Sequence, residues 1–166
     1  MIEEVSTPAL IKTTASLAEK IWNHHYVPII GQEQVDYMLD KFQSEQAITA
    51  QLDQGYHYFL VSNSTGPVGY AAVICKDQKL MLSKLYVSEA ARGLGLGVSL
   101  LAHCKDFAIQ NNCEAIWLTV NRYNSNSIAW YQNKGFKIVQ EKKFDIGNGY
   151  IMDDYILESS IKELRV

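Results

Sequence analysis

The chain has 166 residues, of which 48% are apolar and 20% charged, with a formal net charge of −3. That balance suits one domain with a sizeable core, excludes a disordered chain, and offers no basic footprint for nucleic acid. No apolar run nears the roughly 20 residues needed to span a bilayer, and the polar start MIEEVS has no signal-peptide core, so a cytoplasmic protein with no membrane partner is expected.

Val5 closes a short first strand, and Ser6-Thr7-Pro8 reads as an N-cap with proline in the first helical turn. Leu10, Ile11, Thr14, Leu17, Ala18, Ile21 and Trp22 then recur at helical spacing. The segment NHHYVPIIG, with Pro28 and Gly31, predicts a break; His24, His25 and Tyr26 inside it either line a substrate cleft or close a turn. A second helix follows from about Gln32, carrying Val35, Met38, Leu39 and Phe42 on one face, and Ser44 caps a third that runs toward Gly55.

From Tyr58 the pattern turns to strands. Tyr58 to Ser62 and Val68 to Cys75 form a hairpin through Asn63-Ser64-Thr65-Gly66-Pro67, and Lys76-Asp77-Gln78 turns into a third strand, Leu80 to Val87. After the glycines at 93, 95 and 97, Leu94, Val98, Leu101, Cys104 and Ala108 make an apolar stripe. Ser99, His103, Asp106 and Gln110 lie opposite, which puts His103 on the surface. Ala115 to Val120 is the next strand, so a right-handed crossover pairs it in parallel with Leu80 to Val87. A short helix through Ile128 to Tyr131 ends at Gly135, and Phe136 to Phe144 with Tyr150 to Leu157 forms a closing hairpin. The expected fold is a single α/β domain with a mixed sheet of six or seven strands flanked by helices. Cys75, Cys104 and Cys113 lack CxxC spacing and read as buried reduced thiols, not as a disulfide or a metal site.

The run Arg92-Gly93-Leu94-Gly95-Leu96-Gly97 between a strand and a helix is the most specific feature. Glycines there admit positive φ and bare their N–H groups at the positive end of a helix, forming a seat for phosphate or pyrophosphate; local packing is the competing reason for such a turn. A dinucleotide fingerprint fails because Val98 stands where its third glycine belongs, and a P-loop fails because no lysine follows Gly97.

Arg92-x-x-Gly95-x-Gly97 after Leu85-Tyr86-Val87 resembles the acyl-CoA-binding motif of the GCN5-related N-acetyltransferase (GNAT) superfamily. Asn124-x-x-Ser127-Ile128-x-Trp130-Tyr131-x-x-x-Gly135-Phe136 is similar to the downstream element of the same superfamily. The resemblance covers Tyr58 to about Leu157, the acyl-CoA-binding core, and leaves residues 1–55 as the variable, helical, substrate-side region. It implies a splayed parallel strand pair holding the pantetheine arm of acetyl-CoA through main-chain groups of Leu85 and Val87. The pyrophosphate would rest on amides from Gly93, Gly95, Gly97 and Val98 beside Arg92, and Asn124 would hold the arm by its amide.

The implied reaction moves an acetyl group from acetyl-CoA to a primary amine, with Tyr131 protonating the departing thiolate and no metal. The strand Leu80 to Val87 carries no carboxylate to serve as base, which leaves a water relay or Asp153 or Asp154. Glu33, Asp36 and Asp40 favour a cationic small molecule such as a polyamine. A protein or peptide acceptor, or a non-catalytic acyl-CoA sensor of the same fold, are the alternatives. Dimers are common among similar proteins, which leaves a homodimer open.

Overall fold

A computed structural model describes residues 1–166. Its strands are β1 (Ile2–Glu4), β2 (His57–Asn63), β3 (Gly66–Lys76), β4 (Lys79–Val87), β5 (Ala115–Asn121), β6 (Lys137–Gly147) and β7 (Tyr150–Ser160). The helices are α1 (Pro8–Ile30), α2 (Gln32–Phe42), α3 (Glu45–Asp53), α4 (Leu96–Gln110) and α5 (Ser125–Asn133), with one 3-10 turn at Glu89–Ala91. One seven-stranded sheet runs β1-β2-β3-β4-β5-β7-β6, antiparallel throughout except for the β4–β5 pair. The α/β fold with a mixed sheet is therefore as expected. No helix is long and apolar enough to cross a membrane.

Two cores sandwich the sheet. On one face α1, α2 and α3 bury Ile21, Trp22, Val35 and Ile48 against Tyr58, Leu60, Tyr70 and Ala72. On the other, Leu100, Leu101, Cys104 and Ala108 of α4 meet Phe59, Val61, Ala71 and Val73. The split follows from strand alternation, since successive side chains of β2 and β3 point to opposite faces. The helical side also carries a buried polar chain. Trp22 Nε1 donates to the Tyr70 hydroxyl (3.0 Å), which donates to Gln43 Oε1 (2.6 Å); Gln43 Nε2 donates to the Tyr58 hydroxyl (2.9 Å), which donates to Gln51 Oε1 (2.6 Å). Each buried donor finds an acceptor, so the chain ties three helices to β2 and β3 without the penalty of an orphaned group.

Four local expectations are corrected. The predicted break at NHHYVPIIG is absent: α1 runs through Pro28 to Ile30, and Gly31 at φ 88° ends it by donating its N–H to the Val27 carbonyl (2.9 Å). Pro28 lies on the exposed side, where the carbonyl it leaves without a helical partner can be hydrated, while Tyr26, Val27 and Ile30 pack on the core and hold the last turn. His103 is not a free surface residue, because its ring stands edge-on to Phe59 at 4.5 Å. Leu94 falls outside the α4 stripe, 68% exposed in the turn before the helix, and Cys75 is exposed although Cys104 and Cys113 are buried.

Gly135 shows how tightly the α5–β6 junction is closed. It holds φ 106°, and a Cβ there would stand 2.5 Å from the Glu163 carbonyl oxygen. Gly135→Ala should lower stability by about 1–3 kcal/mol, read from the urea midpoint at unchanged m-value. A midpoint equal to wild type would show that the C-terminal segment yields freely.

Candidate active site

The site begins where β4 leaves β5. Their parallel ladder joins only Lys79 to Ala115, Leu80 to Ile116 and Met81 to Trp117, although β4 continues to Val87 and β5 to Asn121. Two residues past the last pair, Ser83 is an extra residue in β4: Val73 pairs with Leu82 but Ala72 with Lys84. Such a bulge bends its strand and steepens the twist, which turns the β4 end away from β5. Each main-chain group so bared inside the protein costs roughly 1–3 kcal/mol if nothing pairs with it, so the gap favours an extended polar ligand or water.

The gap opens into a cavity of about 570 Å³. Its lining brings together Leu85, Val87, Arg92, Gly93, Gly95, Gly97, Val98 and Tyr131, and adds His25, Tyr86, Ser127 and Trp130. Gly93 (φ 79°) and Gly95 (φ 77°) take left-handed conformations, and Gly95 is the N-cap of α4 with no side-chain cap. The first N–H groups of α4 therefore have no partner within the helix and face the cavity at its positive end. Arg92 folds back so that Nε donates to the Val87 carbonyl (3.2 Å). A Cβ on Gly97 would sit 3.5 Å from the Trp130 ring, so the glycine lets α5 close against the start of α4.

Tyr131 projects from α5, which Asn124 caps by accepting from the Ser127 N–H (3.4 Å). The ring is wedged edge-on between Trp130 (5.1 Å) and Phe136 (5.3 Å). Burial pushes its hydroxyl well above the ordinary tyrosine range, with Tyr26 and Cys104 adding to the rise. It therefore stays protonated through neutral pH. Asn124 itself is buried beside the cavity and outside its lining, and its amide N–H donates to His25 Nε2 (3.1 Å). That bond places the imidazole proton on Nδ1. Burial, then the charges of Arg92 and His24, lowers the His25 pKa and keeps the ring neutral.

Of the two roles the sequence left open for His25, lining a cleft or closing a turn, the structure shows the first, since the continuation of α1 through Pro28 carries it to α5. Tyr86 is a lining residue that the sequence did not single out. Its hydroxyl meets that of Tyr26 at 2.7 Å, and burial raises both phenols, Tyr26 to about 12. A larger hollow of about 670 Å³ between α1 and the 3-10 turn is lined by Glu19, Lys20, His24, Glu89 and Arg92. It has neither a bared strand edge nor Tyr131, so the smaller cavity is the candidate site.

Residues 18–136 match the acetyltransferase (GNAT) family, and the chain belongs to it. Over 70 residues it is 34% identical to streptothricin acetyltransferase of Streptomyces lavendulae, covering 41% of this chain and 37% of that protein. Over 100 residues it is 27% identical to a human spermidine/spermine N(1)-acetyltransferase-like protein 1, covering 59% of this chain and 13% of that one. The match thus spans well under half the length of these relatives. The fold is similar to that of a PaiA N-acetyltransferase from Thermoplasma acidophilum solved with coenzyme A: TM-score 0.78, 19% identity, 96% of this chain and 99% of that one.

Gly95 isolates the electrostatics of the helix seat, because its Cβ would meet nothing within 4 Å while φ stays at 77°. Gly95→Asn and Gly95→Asp carry similar strain and size, but only the second adds a negative charge. Calorimetry should find coenzyme A binding weakened roughly tenfold more by Asp than by Asn. Equal affinities would move the diphosphate away from this turn.

Proposed function

We propose that the protein is an N-acetyltransferase that moves the acetyl group of acetyl-CoA onto a primary amine of a small molecule. The observation that carries this reading is the convergence of three features on one cavity: the bared edge of β4, the α4 N-terminus behind Gly95, and the Tyr131 hydroxyl from α5. Main-chain groups of Leu85 and Val87 would complete their ladder on the pantetheine amides, as a strand partner would. Amides at Gly93, Gly95, Gly97 and Val98 would take the pyrophosphate, with Arg92 as its cation. Asn124 is a positioning residue, fixing the first turn of α5 and the tautomer of His25.

The amine requirement sets the chemistry. An alkylammonium with pKa about 10.4 offers well under 1% free base at pH 7, so the site must take a proton before the nitrogen can attack. Holding the neutral amine at about 3 Å from the thioester carbonyl supplies up to roughly 7–11 kcal/mol through positioning. The departing thiolate, with an ordinary pKa near 8.5, then needs a proton donor. Tyr131 fits because burial keeps it protonated, and the dry cavity that weakens it as an acid also raises the thiol.

The names of the curated relatives support a small-molecule acceptor, two of them being named for streptothricin and for spermidine and spermine. Acidic residues at the α1–α2 surface, Glu19, Asp36 and Asp40, support a cationic one. A screen of polyamines, amino sugars, amino acids and peptides with acetyl-CoA, following thiol release, tests the reading; turnover confined to peptides would replace the acceptor class. Tyr131→Phe should lower kcat at least about tenfold while calorimetric coenzyme A affinity stays near wild type. Unchanged kcat would remove Tyr131 from proton transfer.

A further inference from the structure

Asp154 is the only charged residue in the buried set, 3% exposed on β7. It pairs with Asn121, the last residue of β5, in the stretch where β5 has already parted from β4. Its Oδ1 has no hydrogen-bond partner. A buried carboxylate oxygen left open is costly, and such groups are normally paired.

The cations around it are engaged elsewhere. Lys84 on β4 acts on Asp154 across the gap, yet its Nζ donates to the Ser83 carbonyl (3.1 Å) and Oγ (3.0 Å) in the bulge. Arg122 is held by Asp153 (3.0 Å) and Glu141 (2.9 Å). Lys142, the β6 residue in register with Asp154, is exposed and lies over the Phe144 ring. On the α1 side the Tyr26 hydroxyl meets that of Tyr86, in the cavity lining, at 2.7 Å, and the charge of Asp154 adds to the rise in the Tyr26 pKa. Asp154 thus lies at the end of β5 that has parted from β4, with an open oxygen and no salt bridge to any cation.

We propose that Asp154 is the proton acceptor for the incoming ammonium, and that Lys84 is the positioning charge that keeps the carboxylate ionised. The proposal rests on the N-acetyltransferase reading above. The ammonium gives one proton to Asp154 Oδ1, and the freed lone pair forms the C–N bond as the C–S bond breaks with its electrons on sulfur. Sulfur takes the Tyr131 proton, and Tyr131 recovers the proton that the nitrogen sheds on becoming an amide. Asp154 then returns its proton to water, so ammonium plus thioester gives amide, free thiol and one H⁺. Lys84 also disfavours the charged form of the amine as it approaches.

Burial and Asp153 raise the Asp154 pKa to about 6, against the opposing pull of the Thr119 hydroxyl and Lys84. Above that pH the carboxylate can accept a proton; below it, it cannot. The test follows kcat/KM of the full-length protein from about pH 5 to about pH 10, with acetyl-CoA and the best amine of the screen. Wild type should lose activity as pH falls through about 6. Asp154→Asn should drop kcat roughly hundredfold at pH 7, keep coenzyme A affinity, lose that acid limb, and recover as the pH nears the pKa of the amine itself. Lys84→Met should move the limb upward with Asp154 in place.

An Asp154→Asn enzyme that keeps both rate and limb, or loses activity equally at every pH, overturns the proposal. So does an unmoved limb in Lys84→Met, which remains decisive should Asp154→Asn fail to fold. A wild type that binds coenzyme A but acetylates no amine removes the activity reading, and this role with it. An active wild type with an unaffected Asp154→Asn removes the role alone.

Discussion

The unfinished ladder between β4 and β5 is the constraint from which the site follows. Three residue pairs hold the strands together at one end, and the extra residue at Ser83 then bends β4 out of register with further pairing. A parallel pair inside a sheet is ordinarily continuous, because each skipped hydrogen bond leaves two polar groups in a dry place. Here the skipped bonds face a cavity, so the cost is deferred to whatever polar chain enters it. The α4 N-terminus lies at the far end of the same opening, and its exposed amides extend one surface of unmet donors from strand to helix.

Everything around that opening is arranged to keep it rigid. The chain Trp22–Tyr70–Gln43–Tyr58–Gln51 fixes α1, α2 and α3 on the sheet from one side. From the other, α4 is buried through Leu100, Leu101, Cys104 and Ala108. The β6–β7 hairpin is tied to α2: the Tyr37 hydroxyl donates to the Ile146 carbonyl at 2.7 Å, and Tyr37 packs on Tyr150 at 5.3 Å. With these walls fixed, two bound partners can be held near one point, which is where most of the rate of a group transfer between them originates.

Burial also sets the charge states in one consistent direction. It holds Tyr26, Tyr86 and Tyr131 protonated and His25 neutral, lowers Lys84 to about 8 and raises Asp154 to about 6. The shifts share a cause, the loss of water around each ionised form. Such a site is poor in fixed charge, with Lys84 and Asp154 alone moved toward neutrality, and this suits the acetyl transfer to an amine proposed above.

The amino-acid sequence by itself determined the strand and helix order, the parallel crossover, and the glycine turn with its Asn124-to-Phe136 companion, because hydrophobic period and turn chemistry are local. It also pointed to Tyr131 through that companion segment. What it left open were features that only distant contacts decide. The course of α1 through Pro28 depended on Tyr26, Val27 and Ile30 finding a core, and with it the meeting of His25 with Asn124, ninety-nine positions apart. Asp153 and Asp154 are indistinguishable neighbours in the sequence. The tertiary structure gave one an arginine and buried the other, with one oxygen unpartnered, beside the parted strands, since successive side chains of a strand face opposite sides.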